Sequence, residues 1–198
     1  MSLTESHQHI LIQVARKAIE HGLNTGESLF VTLKGVAAEL CVHRASFVTL
    51  KIKGELRGCI GSIVPILPLI QDVAYHAYAA AFADYRFSPL TALEWPQVEL
   101  HISILTVPEA LKFNSEQELI EQLRPGIDGL ILEAGSHRST FLPAVWESLP
   151  QPQEFLRQLK CKAGLPADYW APTIQVQRYI TESIHAPPYQ QKTANNVH

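Results

Sequence analysis

Two alternating runs joined by a glycine constrain this chain most. From Ser46, the apolar residues Val48, Leu50 and Ile52 alternate with Phe47, Thr49 and Lys51. Gly54 breaks the run and Leu56 to Ile63 follows, so the pair reads as a β-hairpin. The second arm carries Leu56-Arg57-Gly58-Cys59-Ile60-Gly61. On an extended strand residues i and i+2 share a side, which would set Arg57 beside Cys59 and turn Leu56, Gly58 and Ile60 away. A cation beside a thiol favours the thiolate, the form that attacks electrophiles or binds metals. Glu55 falls on the same face, where pairing with Arg57 would cancel part of that field.

Around the hairpin the pattern alternates between helix and strand. Thr4 caps a helix whose apolar residues Ile10, Leu11, Val14, Ala15, Ala18 and Ile19 recur at helical spacing, with Gly22 as the expected stop. Pro68 opens a second, alanine-rich helix to about Ala83. After a loop from Asp84 to Pro89, Val98, Leu100, Ile102 and Ile104 alternate as a strand. Ser115 and Glu118 form a capping box for a short helix to about Leu123. Leu130 to Leu132 reads as a strand, Pro152 to Lys162 as a helix stopped by Gly164, and Ile174 to Ile180 as a last strand. The tail from Ala186 is expected to be disordered. Strict βαβ alternation is missing, so the expected fold is α+β with largely antiparallel sheets and packed helices. Neither a dinucleotide fingerprint nor a Walker-type loop is present.

Charge and cysteine usage narrow the function classes. A net charge of −3 without a basic stripe argues against nucleic acid or an anionic membrane as partner. No apolar run is long enough to span a bilayer, and Met1 to His9 lacks a signal-peptide core. Cys41, Cys59 and Cys161 are odd in number and far apart, which fits neither a disulfide framework nor zinc spacing. The expectation is a cytoplasmic protein with no metal and no cofactor.

Several elements, taken in order, resemble the AMMECR domain family, whose microbial members are also called AmmeMemoRadiSam system protein A. The hexapeptide Leu56 to Gly61 is the family's hallmark, unaltered. Ala80-Ala81-Phe82 leads into Asp84, Arg86, Phe87, Pro89 and Leu90, similar to the family's Asp-x-Arg-Phe-x-Pro-Leu element. The Ile102 to Leu105 strand, Gly129-Leu130, Phe141-Leu142-Pro143, and Lys162-Ala163-Gly164-Leu165 followed by Trp170 also match. Tyr85 stands where many members have proline, and His101 where many have glutamate, so no role of that carboxylate transfers. The resemblance implies one domain over residues 5–182 with a larger and a smaller intertwined lobe, and a pocket around the hexapeptide. It also implies association with MEMO-like and radical-SAM proteins, and supplies no established reaction.

The candidate site residues each carry two readings. Cys59 is a nucleophile or redox thiol with Arg57 orienting an anion, or a small buried strand residue. Gly58 and Gly61 let a small-molecule or peptide ligand approach the backbone, or mark a bulge or tight packing. Asp84 and Arg86 line the pocket, or pair to hold their loop, which the fit of carboxylate to guanidinium favours. Asp72 orients the His76 imidazole as in a general base, or the two form an exposed helix pair, which the one-turn spacing favours; His101 titrates near neutral pH on its strand, or faces solvent, the favoured reading. Cys161 and the three tryptophans are expected to pack. Two functions remain open: a thiol-dependent component of a MEMO and radical-SAM-associated modification pathway, or a non-catalytic adaptor binding a partner protein.

Overall fold

The hairpin forms because Lys53 and Gly54 both take positive φ, 53° and 82°, as two-residue hairpin turns require. The computed structural model describes residues 3–188. In chain order the elements are α1 (Glu5–Thr25), α2 (Ala38–Cys41), β1 (Ser46–Ile52), β2 (Glu55–Gly61) and α3 (Leu69–Phe82). Then follow β3 (Val98–Leu105), β4 (Glu109–Ala110), α4 (Glu116–Gln122), β5 (Gly129–Ala134), β6 (His137–Phe141), α5 (Pro152–Lys162), β7 (Gln175–Tyr179) and β8 (Thr181–Ala186). The class is α+β, with two four-stranded sheets in the orders β2-β1-β3-β8 and β4-β7-β5-β6. The described residues divide into two compact units, Leu105–Thr181 being one and the remaining described residues the other.

In the first unit, β1 pairs antiparallel with both β2 and β3. Val48 and Leu50 of β1 and Leu100 and Ile102 of β3 point into a core shared with α1 and α3. Thr4 caps α1 by accepting the His7 N–H at 3.3 Å. The helix does not stop at Gly22 but runs three residues further to Thr25, and Gly26, with φ of 76°, closes it. Gly22 instead serves packing, since a Cβ there would lie 2.3 Å from the Phe82 ring of α3. Helix α3 comes equally close to β2, where a Cβ on Gly58 would meet the Ala80 carbonyl oxygen at 2.1 Å. Asp72 and His76 are buried rather than exposed: Asp72 Oδ2 accepts the Ser46 hydroxyl at 2.6 Å and lies 3.1 Å from His76 Nδ1. They tie α3 to β1, and a serine bonded to the carboxylate instead of the imidazole is no nucleophile arrangement.

The second unit packs α4 and α5 against its sheet. Trp146 stacks on Phe155 at 3.8 Å and donates its indole N–H to Asp128 O at 2.7 Å. Lys160 is 1% exposed and is satisfied by Glu116 and by Ala167 O. The cap expected at Ser115 forms, with Ser115 Oγ accepting the Glu118 N–H at 3.1 Å, while Glu118 turns back to the Asn114 N–H. Trp95 and Trp146 are buried as expected, whereas Cys161 is exposed rather than packed. Strand β8 has no counterpart among the elements expected from sequence, and it ends at a buried Ala186. The expected disordered tail otherwise lies largely outside the described residues, which end at Pro188. Among the described residues no helix is long and apolar enough to cross a membrane.

Candidate functional site

The hexapeptide is strand β2, and its register departs from a plain hairpin. Leu50 faces Gly58 while Lys51 faces Leu56, so Arg57 is the extra residue of a β-bulge. The bulge interrupts the i, i+2 geometry on which an Arg57–Cys59 partnership depends. Arg57 donates from Nε to Glu94 Oε1 at 2.8 Å and from Nη2 to Glu94 Oε2 at 3.1 Å. The same Nη2 reaches the carbonyl of Ser88 at 3.0 Å. This two-pronged pair, with the Thr91 N–H and hydroxyl also donating to Glu94, binds β2 to the segment before β3. The Arg57 hydrogen bond is the main cause that draws the Glu94 carboxyl down to about 2, with Thr91 adding to it against partial burial.

Cys59 is held by a different pair. Its N–H donates to Asp84 Oδ2 at 2.9 Å, and its carbonyl accepts from Arg86 Nη2 at 3.2 Å. Asp84 accepts three further bonds from Arg86: Nε at 2.9 Å, Nη2 at 2.7 Å and the backbone N–H at 3.2 Å. The carboxylate is buried, yet these donors, the Arg86 side chain first, hold it well below the usual carboxylate range. Arg86 is correspondingly held charged above its ordinary value, chiefly by Asp84, with the Cys59 sulfur among the smaller causes. The Asp84–Arg86 pair thus fixes the loop and clamps the backbone of Cys59 at once. The cation bonded to Cys59 is Arg86, and among the described residues no hydrogen bond joins Arg57 to Cys59. Both guanidiniums lie over the Phe87 ring, Arg57 at 5.9 Å and Arg86 at 5.5 Å from its centroid.

The two glycines are occupied by packing. A Cβ on Gly58 would stand 2.1 Å from the Ala80 carbonyl oxygen of α3. One on Gly61 would stand 2.3 Å from the Phe47 ring and 2.5 Å from Ser46 O. Their lack of side chains therefore serves neighbours within the fold.

On the sheet face turned from the core, Cys59 is half-buried and directly opposite Thr49, whose hydroxyl lies 3.1 Å from Sγ. Thr49 is in turn opposite His101 on β3. His101 is half-buried rather than solvent-facing, and its Nδ1 lies 2.7 Å from Nδ1 of His185 on β8. Glu94, Thr49 and His185 were not legible as site residues. Only Thr49 carried a signal, its place on the outward-facing positions of β1. Among the described residues no group of three or more His, Cys, Asp or Glu could hold a metal ion.

The AMMECR1 family model matches residues 12–184. A protein of Methanothermobacter thermautotrophicus is 36% identical over 191 residues, covering 92% of this chain and 96% of its own. A protein of Methanocaldococcus jannaschii is 37% identical over 185 residues, covering 89% of each. The crystal structure of an uncharacterized Pyrococcus horikoshii protein superposes with a TM-score of 0.85 at 32% identity, over 94% of this chain and 95% of that one. With the family model matching residues 12–184 and relatives 36–37% identical over most of its length, this chain belongs to the AMMECR1 family.

Proposed function

We propose that the chain is a thiol-dependent component of a modification pathway, working with MEMO-like and radical-SAM proteins, and that Cys59 is its reactive group. One observation carries this reading: the Cys59 sulfur is engaged only by the Thr49 hydroxyl among the described residues, while the other polar groups of the hexapeptide are tied into the fold. Gly58 and Gly61 are filled by neighbours, Arg57 is spent on Glu94, and the Cys59 backbone is clamped by Asp84 and Arg86. Cys59 is half-buried rather than sealed in the core, and the Arg86 guanidinium is fixed against its carbonyl. A rigid cation near an accessible sulfur is the setting in which thiolates form and react. In this reading Arg57 is a positioning residue that anchors β2, and Arg86 supplies the positive charge. The pathway partners rest on the family resemblance alone.

The test is alkylation by iodoacetamide across pH, with each cysteine located by mass spectrometry. Cys59 should label faster than the exposed Cys161 well below the pH of about 8.5 at which an ordinary thiol ionises. Labelling no faster than Cys161 at every pH would remove the thiol reading.

A second reading, an adaptor that docks a partner protein, has its own support. Tyr85 is 94% exposed and Leu93 88% exposed, each adjacent in sequence to a residue of the two ion pairs. Large apolar side chains held out on a braced frame suit protein recognition. Cys59→Ser separates the two: co-purification with MEMO-like and radical-SAM proteins persists in both, and pathway activity is lost only in the first.

A further inference from the structure

We propose that Thr49 is the positioning residue of the Cys59 sulfur, donating its hydroxyl hydrogen to the thiolate and fixing the direction of the remaining lone pairs. This rests on the reading of Cys59 as the reactive group. The register sets the two residues directly opposite one another, and Oγ1 lies 3.1 Å from Sγ. Among the described residues no other hydrogen bond engages the Thr49 hydroxyl, so its single hydrogen is available to the sulfur. Threonine is branched at Cβ and stiff about χ1, so a strand holds the hydroxyl in place at small entropic cost.

A neutral thiol and a thiolate respond differently to such a donor. The thiol is a weak acceptor, while the thiolate accepts a charge-assisted bond, so a fixed hydroxyl selectively favours the ionised form. Arg86 adds charge from the backbone side of Cys59, where its Nη2 meets the Cys59 carbonyl. Thr49 acts on the sulfur directly from the neighbouring strand. The two contributions are separate and can be removed one at a time. The bond also leaves the sulfur fewer directions of attack, so an electrophile must approach from the side away from β1.

The experiment follows Cys59 alkylation by iodoacetamide from pH 6 to 10 in the unaltered protein, Thr49→Val and Thr49→Ser. In each event a C–S bond forms, the C–I bond breaks, iodide leaves and the thiol proton passes to water. Thr49→Val should slow labelling roughly tenfold at pH 7, as expected for loss of one hydrogen bond to the ionised form. At pH 10, where the thiol is ionised without help, the two rates should converge. Thr49→Ser, which keeps the hydroxyl, should restore most of the pH 7 rate. A purely structural role would lower all rates alike and would not be rescued by serine.

Slow labelling of Cys59 in the unaltered protein overturns the thiol reading as a whole. Fast labelling with an unchanged profile in Thr49→Val overturns only the role of Thr49. Should Thr49→Val fail to fold, Thr49→Ala, which removes the hydroxyl without adding a methyl in its place, is read against Thr49→Ser in the same way. Slower labelling at pH 7 in Thr49→Ala that serine restores supports the proposal, and a profile unchanged in Thr49→Ala overturns it.

Discussion

Asp84 holds Cys59 by its main chain, accepting the Cys59 N–H at 2.9 Å while the same carboxylate grips Arg86. Removing the carboxylate leaves a buried N–H and a guanidinium without their acceptor. Asp84→Ala should therefore cost about 2–3 kcal/mol, the range for lost bonds to a charged group, reduced for the partial exposure of Arg86. Urea unfolding measures it. Asp84→Asn, which keeps an acceptor of the same shape, should cost less. Equal loss in both variants would mean that charge, not hydrogen bonding, dominates the clamp.

Gly58 meets a carbonyl, not a flexible side chain. With a Cβ 2.1 Å from Ala80 O, either β2 or α3 must shift in Gly58→Ala. Overpacking of this kind costs about 1–3 kcal/mol, and a backbone obstacle puts Gly58→Ala at the upper end. The midpoint of chemical unfolding should fall accordingly.

The hairpin, the strand after Asp84 and the helix Pro152–Lys162 were legible in sequence, because alternation and capping are local signals. The Asp84–Arg86 pair was legible too, as two opposite charges one residue apart in a short loop. What was not legible depends on one inserted residue. A plain hairpin closing at Ile52 and Glu55 would set Thr49 opposite Gly58, and the bulge at Arg57 moves that partner to Cys59. Nothing local in Leu56-Arg57-Gly58 announces the bulge, and the groups that meet it, Ala80 of α3 beside Gly58 and Glu94 on Arg57, are distant in sequence. The His101–His185 contact was hidden for a related reason, since 84 residues separate the pair and β8 lacked a recognisable alternation.

Acid should weaken the protein through its two best-bonded carboxyls. Asp84 and Glu94 are both held below their ordinary values of 3.8 and 4.5, Glu94 at about 2. A carboxyl whose folded value is depressed binds protons more readily when unfolded, so its contribution is complete above the unfolded value and declines as pH falls. Stability measured by urea unfolding should fall from about pH 4.5 downward. Glu94→Gln should start less stable near pH 6 and show a shallower fall over that window. A slope unchanged by Glu94→Gln would mean the Arg57 pair contributes nothing.

The imidazoles of His101 and His185 present Nδ1 to Nδ1 at 2.7 Å, so one nitrogen must donate and the other accept. When both rings are protonated, two Nδ1–H donors stand face to face and the pair must separate. Burial is the main cause that lowers the His101 pKa from 6.5, followed by the charges of His185 and Lys51, while Glu99 opposes them. For a base lowered in the folded state the stabilisation is present above the unfolded value and lost as pH falls below it. Unfolding midpoints should therefore decline from about pH 6.5, a step distinct from the carboxyl window. NMR titration should find His101 below its ordinary value, and His185→Ala should raise it partway, since burial and Lys51 remain. Strand β8 lies at the edge of its sheet beside β3, so its amide exchange should quicken over the same interval. A His101 titration unmoved by His185→Ala would break the argument that the two rings share a proton.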